Sequence, residues 1–289
     1  MRPVARRAPA KLNLDLLVTG RRPDGYHELD SLVVFAGACD LLRAEAADGL
    51  TLTVDGPFGA AVPADDGNLV LVAARELAWA ARIEPCAALH LTKHLPVAAG
   101  LGGGSADAAA ALLALDELWG TGLGNERLRD IGAGIGADVP VCVWGRPARM
   151  RGVGERLDPV RGLPVLPLLL VNPGVPVATA QVFRALHLDG EAEPREPLPP
   201  NPSVLRLAGW LIDSRNDLEA PAIGLAPEVG EALALLRGLP DCLLARMSGS
   251  GGTCWALFAD AARLAAAEAA LAAARPAWWR WAGVVGHRP

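Results

Sequence analysis

A mixed α and β fold in two domains follows from three observations on this 289-residue chain. A strand-like alternation begins at Lys11, an Ala- and Leu-rich helical stretch runs over 107–119, and the texture changes near residue 160. Apolar residues make up 52% of the chain and charged residues 20%. That balance supplies a sizeable core and does not suit a disordered chain. The length accommodates two domains of ordinary size.

The elements are read in chain order. Leu12, Leu14 and Leu16 fall on one face and Lys11, Asn13 and Asp15 on the other, so a half-buried strand is expected with Lys11 and Asn13 on its polar side. Thr51–Val54 and Leu89–Thr92 read as short strands. Asn68–Ala81 reads as a helix opened by the turn residues Asp65, Asp66 and Gly67. Asp107–Trp119 and Glu126–Ile135 read as further helices. Beyond residue 160, Leu166–Val171 reads as a fully buried strand that ends at Pro173-Gly174. His187–Pro202, rich in proline and acid, reads as an exposed loop. Asp217–Ala220, Glu228–Arg237 and Ala261–Ala274 read as helical, with a short strand over Cys254–Phe258. The domains are expected to be 1–160 and 161–289.

Charge and composition exclude several classes. Lys and Arg total 27 against 32 Asp and Glu, a net charge of −5 without a basic stripe, so no nucleic-acid partner is expected. Lys11 and Asp15 interrupt any apolar run behind Arg2, Arg6 and Arg7, and four prolines break the longest charge-free stretch, between Arg161 and Arg184. Neither a signal peptide nor a membrane span is therefore expected. Cys39, Cys86, Cys142, Cys242 and Cys254 are odd in number and form no Cys-x-x-Cys pair, which suits reduced thiols in a cytoplasmic protein.

The segment Pro96-Val97-Ala98-Ala99-Gly100-Leu101-Gly102-Gly103-Gly104-Ser105-Ala106, directly ahead of a helix, carries the strongest chemical signal. Glycines let successive backbone N–H groups converge on an anion, and a helix N-terminus adds a favourable dipole. The Ser105 hydroxyl suits a phosphate oxygen or Mg²⁺. No Gly-Lys dipeptide occurs, so this is not a Walker A loop, and Ser105 replaces the last glycine of a dinucleotide fingerprint. The protein-kinase HRD and DFG triplets are absent. The alternative is a plain turn capping a core helix.

Three further patches stand out. Pro23-Asp24-Gly25 is a turn signal ahead of Tyr26, the sole tyrosine, and His27. Asp138, within Gly136-Ala137-Asp138-Val139-Pro140, is a carboxylate in apolar surroundings and needs a partner or serves as a cap. Met247–Thr253 is a second Gly/Ser loop, either a hairpin turn or the other side of a phosphate site.

The two Gly/Ser loops in this order resemble the small-molecule kinases typified by galactokinase, homoserine kinase, mevalonate kinase and phosphomevalonate kinase. Ala8–Leu14, Gly20–His27, Gly100–Ser105, Gly136–Pro140, Gly152-x-Gly-Glu155, Asn216–Glu219 and the Met247 loop carry the resemblance. It implies a two-domain α+β kinase fold with the active site in the inter-domain cleft. It also implies ATP and Mg²⁺ as cofactors and, as substrate, a methylerythritol unit on cytidine diphosphate, phosphorylated at its tertiary 2-hydroxyl in non-mevalonate isoprenoid precursor synthesis. By position, Lys11 and Asp138 would form the catalytic pair, and Pro96–Ala106 would bind the ATP phosphates with Ser105 toward the metal. Tyr26 and Phe183 would sandwich the cytosine and His27 would bond its edge. Asn13 would contact the erythritol portion, and Asn68 would lie near the adenine. Ala106 stands where a second serine often follows the loop in this family.

Mechanism follows from charge, because phosphoryl transfer is mostly positioning and electrostatic stabilisation. Asp138 could accept the hydroxyl proton while Lys11 stabilises developing charge. Two alternatives compete. A related kinase for homoserine or a mevalonate derivative would offer no base for Tyr26 and His27. A non-catalytic nucleotide-binding module would need neither Lys11 nor Asp138.

Overall fold

The structure, a computed structural model, describes residues 2–187 and 196–286. Its elements are β1 (Val4–Asn13), β2 (Leu17–Arg21), β3 (His27–Glu45), β4 (Leu50–Asp55), α1 (Leu69–Ala81), β5 (Ala87–Thr92), α2 (Gly103–Trp119), α3 (Gly124–Ile135), α4 (Val139–Trp144), β6 (Ala148–Gly152), β7 (Arg156–Pro159), β8 (Leu166–Asn172), α5 (Thr179–Ala185), α6 (Val204–Ile212), α7 (Glu219–Leu225), α8 (Pro227–Arg237), β9 (Leu244–Met247), β10 (Cys254–Leu257), α9 (Ala261–Ala274) and β11 (Trp279–Val285).

Two compact units result, and no single cut near residue 160 separates them. The first holds Met1–Lys11, Ala38–Val97 and Gly102–Arg146; the second holds Leu12–Gly37, Ala98–Leu101 and Pro147–Pro289. The physical reason is strand length, since β1 and β3 each give residues to both units.

In the first unit, Leu41–Glu45 of β3 pairs antiparallel with β5, and β4 lies parallel to β5. α1, α2, α3 and α4 complete it. The buried residues of α2 are mostly alanines, whose small side chains let neighbouring helices approach closely. In the second unit, His27–Val33 of β3 pairs with β2 and β6, and β7 follows β6. A separate antiparallel sheet, ordered β11-β8-β10-β9, packs its core with α5, α7, α8 and α9 residues such as Val182, Ala222, Leu233 and Leu271.

Several elements match the sequence reading and others depart from it. β8 is buried along its whole length and ends at Pro173, as its apolar run predicts. α1 starts after Asn68, whose side-chain oxygen accepts the Val70 N–H at 2.9 Å. α2 starts at Gly103 rather than Asp107, because two glycines in its first turn carry no side chain for periodicity to register. The strand through Lys11 is buried on both sides, not half-buried: Lys11, Asn13 and Asp15 are 4%, 0% and 0% exposed. Burial is tolerated because each is paired. Asp15, for example, accepts from Leu32 N at 2.8 Å and Ser214 Oγ at 2.7 Å. The loop expected over 187–202 lies in part outside the described residues. All five cysteines are free thiols.

Candidate active site

In the first unit, Lys11 near the end of β1 meets Asp138 at the start of α4, Nζ to Oδ2 at 2.8 Å. Asp138 occupies the N-cap position of α4, yet its side chain makes no capping bond, so the carboxylate is committed to Lys11. The lysine side chain is only 5% exposed, whereas that of Asp138 is 30% exposed. The carboxylate thus keeps one open side on which a hydroxyl group can be met. Removing Asp138 would strand the Lys11 charge in a low-dielectric place.

The glycine segment divides into two parts with different physical tasks. Gly102, the N-cap of α2, has φ +62, and a Cβ there would lie 3.1 Å from Lys11 Cε and 3.7 Å from Asp138 Oδ2. The helix therefore begins directly against the Lys11–Asp138 pair. Ala106 N donates to Gly102 O at 2.8 Å, the first intrahelical bond. The N–H groups of Gly103, Gly104 and Ser105 precede that bond and have no partner within the helix. No acidic side chain occupies the first turn. Three donors without an intrahelical partner at the positive end of a 17-residue helix are an arrangement that suits an anion. Ala106 does not join them, because its N–H is already bonded and its side chain is buried in the core.

Gly100, by contrast, is glycine for packing. With φ +71, a Cβ there would lie 2.3 Å from Ser248 O and 2.6 Å from Gly251 O. The Met247 loop closes on Ala98–Leu101 within the second unit. Ser248 Oγ donates to Gly100 O at 2.9 Å and Thr253 N to Ala99 O at 2.9 Å. Asn216 holds the same loop by donating to the Met247 and Gly249 carbonyls, at 2.9 Å and 2.8 Å.

Asn13 is built into this second unit. Its side-chain N–H donates to Ser31 Oγ at 2.7 Å, and its carbonyl accepts from the buried Trp255 indole at 3.1 Å. The turn before Tyr26 forms as its sequence predicts: Gly25 has φ +91, Asp24 Oδ1 accepts the Tyr26 N–H, and Arg22 N bonds Tyr26 O. Arg22 is itself held by Glu28 and Glu155, both at 3.1 Å. The Tyr26 side chain stands 63% exposed, which excludes a core role. His27 and Phe183 stack on each other, with ring centroids 5.0 Å apart and planes inclined by 25°. Phe183 therefore lies against His27, the residue next to Tyr26. Burial, and then the charge of Arg21, pull the His27 pKa below its ordinary value, which favours the neutral ring.

Asn68 has both side-chain groups engaged, its oxygen in the α1 cap and its N–H on Pro63 O at 2.7 Å. Its neighbour Leu69 borders the glycine turn, because a Cβ on Gly104 would touch Leu69 Cδ1 at 3.6 Å. Ser105 Oγ lies 4.0 Å from a Cβ built on Gly136, on the side from which Asp138 follows. Among the described residues no group of three His, Cys, Asp or Glu side chains could hold a metal ion.

Sequence reasoning missed one cluster entirely. Lys93 Nζ lies 2.5 Å from Asp40 Oδ2 and 2.6 Å from Asp107 Oδ2, with all three side chains buried. Burial pushes the Asp107 carboxyl up to about 7, against the pull of Lys93 and with help from Asp40. Burial opposes the charge on Lys93, but the two carboxylates prevail and hold it above the ordinary lysine range. The signal was present in part. Asp40 is buried while Leu41 beside it is 46% exposed, an inversion that hid both the strand and its charge.

Comparison with known proteins places the chain by family and fold. The family model for the GHMP kinases N terminal domain matches residues 68–146, and that for GHMP kinases C terminal matches 202–277. The chain is 54% identical over 273 residues to a 4-diphosphocytidyl-2-C-methyl-D-erythritol kinase of Paramagnetospirillum magneticum, covering 94% of this chain and 95% of the relative. It is 51% identical over 279 residues to the enzyme of that name from Parvibaculum lavamentivorans, covering 96% of each. A crystal structure of 4-(cytidine 5'-diphospho)-2C-methyl-D-erythritol kinase superposes with a TM-score of 0.76 at 36% identity, over 98% of this chain and 100% of that one. A homoserine kinase from Cytophaga hutchinsonii shares the fold, with a TM-score of 0.69 at 19% identity, over 98% of this chain and 94% of that one.

Proposed function

We propose that this chain, which belongs to the GHMP kinase family, phosphorylates the 2-hydroxyl of 4-diphosphocytidyl-2-C-methyl-D-erythritol with ATP, in the non-mevalonate route to isoprenoid precursors. The observation that carries the reading is the start of α2, where three partnerless N–H groups stand beside the Lys11–Asp138 pair.

The chemistry follows from those residues. Gly103, Gly104 and Ser105 bind phosphate oxygens of the nucleotide through their backbone N–H groups. Asp138 accepts the proton of the tertiary hydroxyl as the phosphoryl group moves to its oxygen. Lys11 holds that carboxylate at 2.8 Å and adds positive charge where negative charge develops. Magnesium, when bound with the nucleotide, neutralises phosphate charge. Such an ion needs few protein ligands when phosphates and waters supply the rest, and the Ser105 hydroxyl in the first turn of α2 suits it.

For the acceptor, the second unit supplies Tyr26 as an exposed stacking surface, with His27 next to it in the chain and Phe183 against His27. By the family resemblance Asn13 would face the polyol portion and Asn68 the adenine; both side chains are already hydrogen-bonded within the protein, Asn13 to Ser31 and Asn68 to Pro63 and Val70. Operation in the cytoplasm accords with five free thiols, and no described helix is long and apolar enough to cross a membrane.

The test is direct. Incubation with ATP, Mg²⁺ and the cytidylyl polyol should yield ADP and a product heavier by one phosphate, read by mass spectrometry. Equal or better turnover of homoserine or mevalonate would refute the substrate assignment.

A further inference from the structure

Lys93 follows β5 directly and ties three pieces of the first unit together. Its ammonium bridges Asp40 on β3 and Asp107, four residues into α2. The other oxygen of Asp40 accepts the N–H groups of His94 at 2.6 Å and Leu95 at 2.8 Å, so the segment after β5 is fixed on two sides. A Cβ on Gly103 would lie 3.3 Å from Lys93 Nζ and 3.9 Å from Asp40 Oδ2. The buried charges therefore lie directly beneath the first residue of the phosphate-binding turn.

Stability alone does not explain such an arrangement. Buried ion networks seldom outperform apolar side chains of similar size, and Asp107 leaves its Oδ1 buried without a hydrogen-bond partner. We propose that the Asp40–Lys93–Asp107 network positions the nucleotide-binding turn of α2, with Lys93 and Asp107 acting on ATP through the Gly103–Ser105 backbone. This rests on the reading of that turn as the ATP site. By holding both the start of α2 and the strand behind it, the network keeps three N–H groups aimed before the nucleotide arrives.

The experiment compares wild type with Asp107→Asn and with the triple variant Asp40→Asn, Lys93→Met, Asp107→Asn. The triple variant leaves no unpaired buried charge behind, so it separates positioning from folding. Calorimetry measures binding of a non-hydrolysable ATP analogue and, separately, of CDP. Both variants should bind the analogue about ten-fold more weakly while CDP affinity stays within about two-fold, the pattern expected when a supporting layer is lost. Wild-type affinity for the analogue in the folded triple variant would overturn the positioning role alone. Equal weakening of the analogue and CDP would overturn it too, by showing a general loss of structure. A wild-type chain that does not bind the analogue would overturn the ATP reading, and the proposal with it.

Discussion

A methyl group on Gly102 would lie 3.1 Å from Cε of Lys11, in the same space that joins the start of α2 to the Lys11–Asp138 pair. A glycine in this chain is therefore not interchangeable with the next. Gly102 faces the Lys11 side chain, at Cε and at Cβ, with no contact under 3.0 Å, whereas Gly100 faces two backbone carbonyls at 2.3 Å and 2.6 Å.

That contrast gives a paired prediction. Gly102→Ala should fold with a modest loss of stability, about 1–2 kcal/mol for its left-handed backbone, and lose kcat because Lys11 must shift. Gly100→Ala has nowhere to move a methyl 2.3 Å from Ser248 O. It should lower the melting temperature far more or fail to accumulate as soluble protein. Thermal unfolding and steady-state kinetics on both variants check this; equal melting temperatures would refute it.

Asp138→Asn preserves shape and removes the proton acceptor, and Lys11→Met removes the charge that holds it. Each should lower kcat by about two to four orders of magnitude. The KM for ATP should change little, because the three N–H groups of α2 are untouched. Near-normal kcat in Asp138→Asn would remove Asp138 from the mechanism.

Tyr26→Ala should leave the melting temperature unchanged, because the side chain is 63% exposed. It should raise the KM for the cytidylyl substrate by about 5- to 150-fold, the equivalent of one stacked base, whereas Tyr26→Phe should be nearly silent. Phe183→Ala deprives His27 of its ring partner and should narrow the preference for cytidine over uridine analogues. Weakened ATP binding in Tyr26→Ala would move that residue to the nucleotide site.

Asp107 predicts a pH dependence of stability. Its carboxyl is pushed from 3.8 to about 7 in the folded chain, chiefly by burial. Between those values the folded state binds more protons than the unfolded state, so stability falls as pH rises through the window. Asp107→Asn has no such proton to lose. The melting-temperature difference, wild type minus variant, should therefore decrease from pH 4 toward pH 7, as read by calorimetry across that range. A constant difference would show that Asp107 does not titrate there.

Much of the site was legible because its chemistry is written locally. Glycines ahead of an Ala-rich stretch specify a helix N-terminus with free N–H groups, and Pro23-Asp24-Gly25 specifies the turn that presents Tyr26. Asn68 before an apolar-periodic run specifies the cap of α1. These features depend on neighbours within four residues, so the sequence alone determined them.

Only the tertiary structure decided which polar residues are buried together. Asp40, Lys93 and Asp107 come from β3, the end of β5 and α2, and no spacing along the chain relates them. The same holds for Gly100 against Ser248 and for His27 against Phe183, pairs brought together by packing across long sequence separations. Backbone conformation is set by local sterics and hydrogen bonding, whereas a buried charge is stable only beside a partner that the whole fold must deliver.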